Sequence, residues 1–206
     1  MRTLPYIMML STTTGYHSGK STVAEAVCRC DRNARILSIA APMKEMVILL
    51  LQNMGIPNSL AHEYVQNPNL KNKVIEGLGD GKVTPRRLMQ TLGTEWRMMI
   101  DPLLWVKMAL QRVDFHLQQG HNVVIDDMRF PEEELQTFRT YFYPEGVEVI
   151  HVNIIRPENA LAQEDSHSSE GAFKDVIPDF EIVNNGTVQD LEETVKSLFF
   201  PNLISR

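Results

Sequence analysis

The stretch from Tyr6 to Ala24 constrains this chain more than any other part of it. It begins with an apolar run, residues 6–10, that predicts a short buried strand. Residues 12–19 then bring two glycines and a row of small polar side chains, which cannot continue that strand. From Ser21 to Arg32 the pattern becomes helical, with Val23 and Val27 one turn apart. This order of strand, loop and helix places the loop at a helix N-terminus, where backbone N–H groups can bind an anion.

The loop and the start of the helix read Gly15-Tyr-His-Ser-Gly-Lys-Ser-Thr22, a composition typical of a phosphate-binding P-loop. Gly15 and Gly19 let the backbone approach phosphate oxygens that a Cβ would block. Lys20 can place its ammonium group on the β- and γ-phosphates, and the Ser21 hydroxyl can ligate Mg²⁺. We therefore predict that ATP binds here with Mg²⁺. The predicted ATP-binding residues of the loop are Gly15, His17, Ser18, Gly19, Lys20, Ser21 and Thr22.

The spacing of this loop departs from the usual pattern. Three residues separate Gly15 from Gly19, where four are usual. Either the loop is one residue shorter, or Thr14 occupies the position of the first glycine. The alternative to phosphate binding is a Gly-Ser turn that caps an ordinary helix.

Size and charge narrow the classes of function. A chain of 206 residues is long enough for one well-buried domain. Its formal net charge of −6 speaks against a nucleic-acid-binding surface, because phosphate backbones select for basic patches. The apolar runs are far too short to span a membrane. Cys28 and Cys30 lie two apart on a predicted helix, which suggests neither a disulfide nor a metal site. We expect a cytoplasmic protein that binds neither nucleic acid nor membranes.

Strands and helices alternate along the chain, which predicts an α/β fold. We expect a three-layer arrangement with about five parallel strands and helices on both faces. After the first strand, the others are predicted at residues 35–40, 122–126, 147–155 and 180–183. The dipeptide Ala41-Pro42 is predicted to end the second strand, with a helix from Met43. The polar segment that begins at Arg156 lies where a lid would cover the phosphates.

The strand at 122–126 is apolar and ends in two acids, Asp126 and Asp127. In P-loop proteins a hydrophobic strand beside the first one delivers an aspartate to the Mg²⁺ shell, so Asp126 is the candidate metal ligand together with Ser21. The alternative is that one of the two acids caps the next turn. Arg129 could reach a phosphate from the same strand end.

A second group of candidates lies on the helix that begins at Thr84-Pro85, with threonine as N-cap and proline at N1. Arg86, Gln90, Trp96 and Arg97 crowd this segment. An amphipathic helix explains much of the pattern, but guanidinium forks and an aromatic ring also suit a planar, phosphorylated ligand. Lys44 follows a predicted strand end and is either a solvated helix residue or a phosphate contact.

Four segments are distinctive when they are taken together. They are Gly15-Tyr-His-Ser-Gly-Lys-Ser-Thr22, Thr84-Pro-Arg-Arg-Leu-Met-Gln-Thr-Leu-Gly-Thr-Glu95, Asp126-Asp-Met-Arg-Phe-Pro-Glu132 and His167-Ser-Ser-Glu170. With Asn185-Gly-Thr187 before the last helix, they resemble the deoxynucleoside monophosphate kinases of bacteriophages, within the P-loop nucleoside-monophosphate kinase group.

The resemblance implies phosphoryl transfer from ATP to a deoxynucleoside monophosphate, with Mg²⁺, by a protein that is typically a homodimer. By position, Lys20 would hold the transferring phosphate and Arg129 would bind phosphate at the acceptor site. Within a single domain of residues 1–206, residues 56–100 would form a monophosphate-binding flap and residues 156–179 a lid. The lid contains two cations, Arg156 and Lys174, and which cation stabilises the transition state is left open. The predicted substrate-binding residues are Lys44, Arg86, Gln90, Trp96, Arg97, Asp127, Arg129, His167 and Glu170, while Asn185 and Gly186 are predicted to bind ATP.

Two other interpretations stay open. One is a P-loop kinase of another small acceptor, such as dephospho-coenzyme A, which shares the architecture. The other is an ATP-binding regulatory module without an acceptor. The cluster around Arg86 and Arg97 argues against the module, because a pure ATP switch needs no second phosphate site.

Overall fold

The computed structural model describes residues 4–14, 18–79, 81–157 and 176–203. The chain divides into two compact units, Met1–Ser38 together with Ala109–Arg206, and Ile39–Met108. No helix of the described ranges is long and apolar enough to cross a membrane.

The first unit is built on a sheet of five strands in the order β2-β3-β1-β4-β5, counted over the described residues. All four pairings are parallel, which confirms the predicted α/β fold. Because the carboxyl ends of parallel strands meet at one edge of a sheet, the loops that follow β1, β2 and β3 lie at the same edge. The strands are β1 Tyr6–Ser11, β2 Ala34–Leu37, β3 Asn122–Ile125, β4 Glu148–Ile155 and β5 Phe180–Val183.

The helices are α1 Lys20–Cys30, α2 Ala41–Asn53, α3 Asn58–Gln66, α4 Pro85–Thr91, α5 Arg97–Ile100, α6 Leu104–Gln118, α7 Pro131–Phe142 and α8 Val188–Phe199. A π-helical turn, Leu92–Trp96, joins α4 to α5. Short 3-10 turns lie at Tyr143–Glu145 and Pro201–Leu203.

The second strand is shorter than its sequence predicts. β2 ends at Leu37, and α2 already begins at Ala41 with Pro42 in its first turn. The prediction that Ala41-Pro42 ends the strand was wrong, because a proline without an N–H is equally at home in the first helical turn.

Helices cover both faces of the sheet. On one face α1 and α8 pack against alternate strand residues. This core contains Tyr6, Met8, Leu10, Val124, Ile150, Val152, Ile154 and Ile182 of the strands, with Val23, Val27, Leu191, Val195 and Phe199 of the helices. Ile7 and Met9 point to the opposite face and are also fully buried. There α7 packs against β4 and buries Phe138 and Phe142.

The second unit has a core of its own, formed by α2 and α3 with the start of the following loop. Its buried residues are Val47, Ile48, Leu51, Ala61, Tyr64, Val65 and Ile75. Leu88, Met89 and Leu92 pack against this cluster, so α4 and the π-helical turn rest on it. The predicted flap, residues 56–100, lies within this unit.

A buried polar cluster marks the end of β1. The Ser11 Oγ lies 2.8 Å from His151 Nε2 and donates to Asn153 Oδ1 at 3.2 Å. The backbone N–H of His151 donates to Asp179 at 2.7 Å. Burial lowers the pKa of His151 to about 4, against the opposing effect of the Asp179 carboxylate. The imidazole is therefore neutral at pH 7 and joins the last residue of β1 to β4.

This cluster predicts acid sensitivity of the fold. Between about pH 6.5 and 4 only the unfolded chain protonates His151, because its pKa is ordinary there and lowered in the folded state. The unfolded state then binds more protons, so the free energy of unfolding should fall by about 3 kcal/mol as the pH drops through this window. Urea unfolding at pH 7, 6 and 5 measures the slope, and His151→Gln should flatten it. An equal slope in both proteins would contradict the assignment.

Candidate functional site

The predicted phosphate-binding loop begins where β1 ends and finishes at the N-terminus of α1. Gly19 is the N-cap of α1, with φ of +105°. A Cβ at this position would also lie 2.7 Å from the side-chain nitrogen of Asn184. Glycine is thus required for both its left-handed backbone and its lack of a side chain. α1 begins at Lys20, one residue before the predicted start at Ser21. Gly15 and His17, two predicted ATP contacts, lie outside the described residues.

Asn184 holds this loop from the end of β5. Its Nδ2 donates to the Ser18 carbonyl at 2.8 Å, and its own N–H donates to Ile155 at 2.7 Å. The side chain is buried, whereas Asn185, which the sequence analysis named, is exposed. The sequence could have pointed to Asn184 only through its position, because it is the first residue after a strand of the parallel sheet.

A pocket of about 580 Å³ opens beside the loop. One wall is the loop with the first turn of α1, and the other is the turn between β5 and α8. Among the lining residues that the structure describes, the cations are Lys20 and Arg156, both half-buried. Arg156 directly follows β4, and its N–H donates to the Thr14 hydroxyl at 2.9 Å. Among the described residues, the lining consists of Ser18, Gly19, Lys20, Ser21, Thr22, Arg156, Asn184, Gly186, Thr187, Val188 and Leu191.

The two predicted metal ligands lie together. Asp126 follows the last residue of β3, and its Oδ2 accepts a hydrogen bond from the Ser21 hydroxyl at 3.4 Å. Both groups are hard oxygen donors, the type that Mg²⁺ prefers. Mg²⁺ is usually held by one or two protein groups, with phosphate and water completing the shell, and this pair fits that requirement.

Asp127 has a different partner from its neighbour. Its Oδ2 accepts a hydrogen bond from the Ser38 hydroxyl at 2.5 Å, and Ser38 directly follows β2. Adjacent acids thus contact different elements, α1 for Asp126 and the end of β2 for Asp127. Ser38 was not among the predicted residues.

Arg129 lies on the same loop, and its side chain is exposed. Its backbone N–H donates to Glu134 Oε2 at 2.8 Å, and the N–H of Phe130 donates to the same oxygen at 3.1 Å. Glu134 itself is 4% exposed. Glu134 was not among the predicted site residues.

In the second unit, one continuous helical run carries four predicted substrate-binding residues. It starts as predicted, with the Thr84 side chain accepting from Arg87 N at 3.2 Å and proline at N1. Arg86 and Gln90, on α4, are half-buried. Trp96 stacks on Trp105 with ring centroids 5.9 Å apart.

The π-helical turn separates Arg97 from the residues predicted to act with it. In an uninterrupted α-helix Arg86, Gln90 and Arg97 would share one face, because their spacings are four and seven. The π turn adds one residue and rotates all that follows by about 100°. Arg97 is accordingly 7% exposed, and its guanidinium donates to the Pro102 carbonyl at 3.0 Å. This placement favours a structural role for Arg97.

Lys44 lies in the first turn of α2, beside the π turn. A Cβ on Gly93 would come within 3.1 Å of the Met43 sulfur, so the π turn packs directly on the residue that precedes Lys44. Lys44 is half-buried. His167 and Glu170, the remaining predicted contacts, lie outside the described residues.

Comparison with known proteins identifies a family for this chain. A family model described as deoxynucleotide monophosphate kinase matches residues 58–195, well over half of the chain. No curated protein sequence matches. Among solved structures, the chain is similar to APS kinase CysC of Mycobacterium tuberculosis in complex with AMPPNP and APS, at 14% identity and a TM-score of 0.43, covering 98% of this chain and 99% of that one. A mutant of the same enzyme matches at 13% identity and a TM-score of 0.40, with the same coverage. At such scores the structural similarity carries no weight.

Proposed function

The chain belongs to the deoxynucleotide monophosphate kinase family, and on this premise we propose how its residues bind ATP, Mg²⁺ and the acceptor. The family makes the protein a kinase whose acceptor is a deoxynucleotide monophosphate. The observation that carries the donor half of the proposal is the junction of β1, the phosphate-binding loop and α1, with Asp126 beside Ser21.

The donor nucleotide is ATP, bound with its phosphates on the loop. The N–H groups of the first turn of α1 and the Lys20 ammonium hold the β- and γ-phosphates. The pocket between the loop and the β5–α8 turn takes the adenosine, with Arg156 as its second cation. Gly186 borders this pocket, which supports its predicted contact with ATP, whereas Asn185 is not among the described lining residues.

Ser21 and Asp126 would hold Mg²⁺ against these phosphates. The ion supplies charge neutralisation of the transferring group. Lys20 stabilises the same charge from the loop side. Phosphoryl transfer needs mainly positioning and neutralisation, so no strong protein base is required.

On the acceptor side we propose that Arg129 binds the phosphate of the monophosphate through its exposed guanidinium fork. In the second unit, Arg86, Gln90, Lys44 and Trp96 remain the proposed substrate contacts. Arg97, whose buried guanidinium donates to the Pro102 carbonyl, is instead proposed to have a structural role. Asp127, His167 and Glu170 stay in the proposal as substrate contacts on the strength of their positions in the sequence.

Homodimer formation is part of the same proposal, since the resemblance implies it. The structure offers one supporting feature. Met98, Met99 and Ile100, all of α5, are 57%, 83% and 56% exposed, an unusual run of apolar surface. Light scattering after gel filtration measures the mass directly.

One assay tests the proposed function. ADP release from ATP is followed by enzyme coupling over dAMP, dCMP, dGMP and dTMP, with the ribonucleotides, dephospho-coenzyme A and no acceptor as comparisons. We expect acceptor-dependent ADP release with at least one deoxynucleoside monophosphate. Release with dephospho-coenzyme A alone would support the other acceptor kinase, and acceptor-independent release or none would contradict the proposal.

The metal assignment gives a prediction with a matched control. Asp126→Asn should lower turnover on the order of 10²-fold and raise the Mg²⁺ concentration for half-maximal rate, because it removes a charge at the metal. Asp127→Asn should cost less, since that carboxylate contacts Ser38 instead. Mg²⁺ titrations of both variants at saturating ATP give the comparison. If Asp127→Asn proves the more damaging, the assignment of Asp126 to the metal is wrong.

A further inference from the structure

We propose that Glu134 is a positioning residue for phosphoryl transfer: its buried carboxylate holds the backbone at Arg129 and so determines where the Arg129 guanidinium lies. The inference rests on the proposed role of Arg129 at the acceptor phosphate. Glu134 is not one of the proposed substrate contacts, and it acts through Arg129 and not on substrate.

The loop between β3 and α7, residues 126–130, is neither helix nor strand. Its backbone N–H groups therefore have no ladder partners and must find acceptors elsewhere. Glu134 Oε2 supplies one acceptor for two of them, Arg129 N at 2.8 Å and Phe130 N at 3.1 Å. The Glu134 N–H donates to the Phe130 carbonyl at 2.7 Å, which is the first backbone bond of α7 because Phe130 is its N-cap. The two bonds to the Glu134 carboxylate thus tie the end of the loop to the first turn of α7.

Burial distinguishes Glu134 from its neighbours. It is 4% exposed, whereas Glu132 and Glu133 in the same turn are exposed. A buried carboxylate is costly unless its charge is met. Here two N–H groups and the N-terminus of α7 meet it. The two exposed acids are sufficient to stabilise the N-terminus of α7. The buried carboxylate therefore has a second function, which is to hold the loop.

The loop transmits this constraint to Arg129. On one side Met128 is 2% exposed and anchors the chain in the core, and on the other Phe130 is bonded to Glu134. The Arg129 side chain is exposed, so its own backbone is what determines its starting point and direction. A small shift at the Arg129 Cα becomes a larger one at the guanidinium, where a phosphate fork requires correct geometry.

The test compares Glu134→Ala, Arg129→Ala and the double variant, with Glu132→Ala as the matched control from the same turn. The acceptor is whichever of dAMP, dCMP, dGMP and dTMP the wild-type protein phosphorylates fastest. We expect Glu134→Ala to raise the KM of that acceptor about tenfold, with the KM of ATP within about twofold of wild type. The double variant should match Arg129→Ala, because both changes remove the same interaction. Glu134→Gln keeps an acceptor oxygen and should recover most of the loss.

A merely structural role gives a different result. Glu134→Ala would then lower Tm and the active fraction, leave the acceptor KM unchanged and add fully to Arg129→Ala. Hydrogen exchange keeps the inference separate from the proposed function. The Arg129 and Phe130 amides should exchange faster in Glu134→Ala than in Glu132→Ala, whatever the substrate. Unchanged exchange overturns the inference, while faster exchange with no phosphorylation of any deoxynucleoside monophosphate by the wild-type protein overturns the proposed function alone.

Discussion

Lys20→Met is expected to abolish phosphoryl transfer and leave the fold intact. Lys20 is the first residue of α1 and lines the pocket beside the phosphate-binding loop. In the proposed donor site its ammonium is the cation on the transferring phosphate, and methionine keeps most of the side-chain length without the charge. Loss of a positioned charge in such a site costs about 4 kcal/mol, so turnover should fall on the order of 10³-fold. Coupled ADP release measures turnover, and thermal unfolding checks the fold.

Lys196→Met is the matched control for this variant. Lys196 is a half-buried lysine of α8 in the same unit, outside the pocket lining. It should retain wild-type turnover. Near wild-type turnover in Lys20→Met itself would show that the loop does not hold the transferring phosphate, and the assignment of the donor site would fail.

Short-range patterns explain what the sequence predicts well. A run of apolar residues bounded by turn residues is enough to identify a buried strand, and β5 has the predicted bounds of 180–183. Thr84 caps α4 through its own side chain, an interaction that spans three residues. Asp126 follows directly from the end of the apolar strand before it. In each case the responsible contacts are local or repeat along one strand.

The π turn shows where local patterns are insufficient. Placing Arg97 with Arg86 and Gln90 assumes an unbroken 3.6-residue period. One additional residue in the turn breaks that period. Two contacts accompany it, the packing of Gly93 on Met43 and the Trp105 Nε1 bond to the Leu92 carbonyl at 3.3 Å. Both partners are distant in sequence, so the position of the turn is a property of the packed unit.

The partners that support the site are also distant in sequence. Ser38 and Asp127 are 89 residues apart, and Asn184 lies 166 residues from Ser18. Only the order of strands in the sheet brings such pairs together. The role of Glu134 could not be predicted for a different reason. Three acids in a first helical turn are already explained by the helix dipole. Nothing in the sequence says which of the three is buried.

Arg129→Lys is expected to weaken acceptor binding although the charge is kept. The guanidinium can bond two phosphate oxygens at once, whereas the lysine ammonium is a point charge on a flexible stem. Losing one charge-assisted hydrogen bond costs about 1.5–3 kcal/mol, so the KM of a deoxynucleoside monophosphate should rise about 10- to 100-fold. The KM of ATP should change little, because in the proposed donor site Lys20 and the loop amides hold that nucleotide. Initial rates over a matrix of both substrates give both constants.

Arg139→Lys provides the control, since Arg139 is an arginine of α7 that pairs with Asp179 at 2.6 Å and belongs to no proposed site. It should leave both KM values unchanged. The pattern of loss in Arg129→Lys then decides which substrate the guanidinium contacts. A rise in the KM of ATP alone would assign Arg129 to the donor site. The positioning role of Glu134 would then also concern the donor site. A rise in the KM of the acceptor alone would give the loop that follows β3 two functions. Asp126 would bind the metal, and Arg129 would bind the phosphate that receives the transferred group.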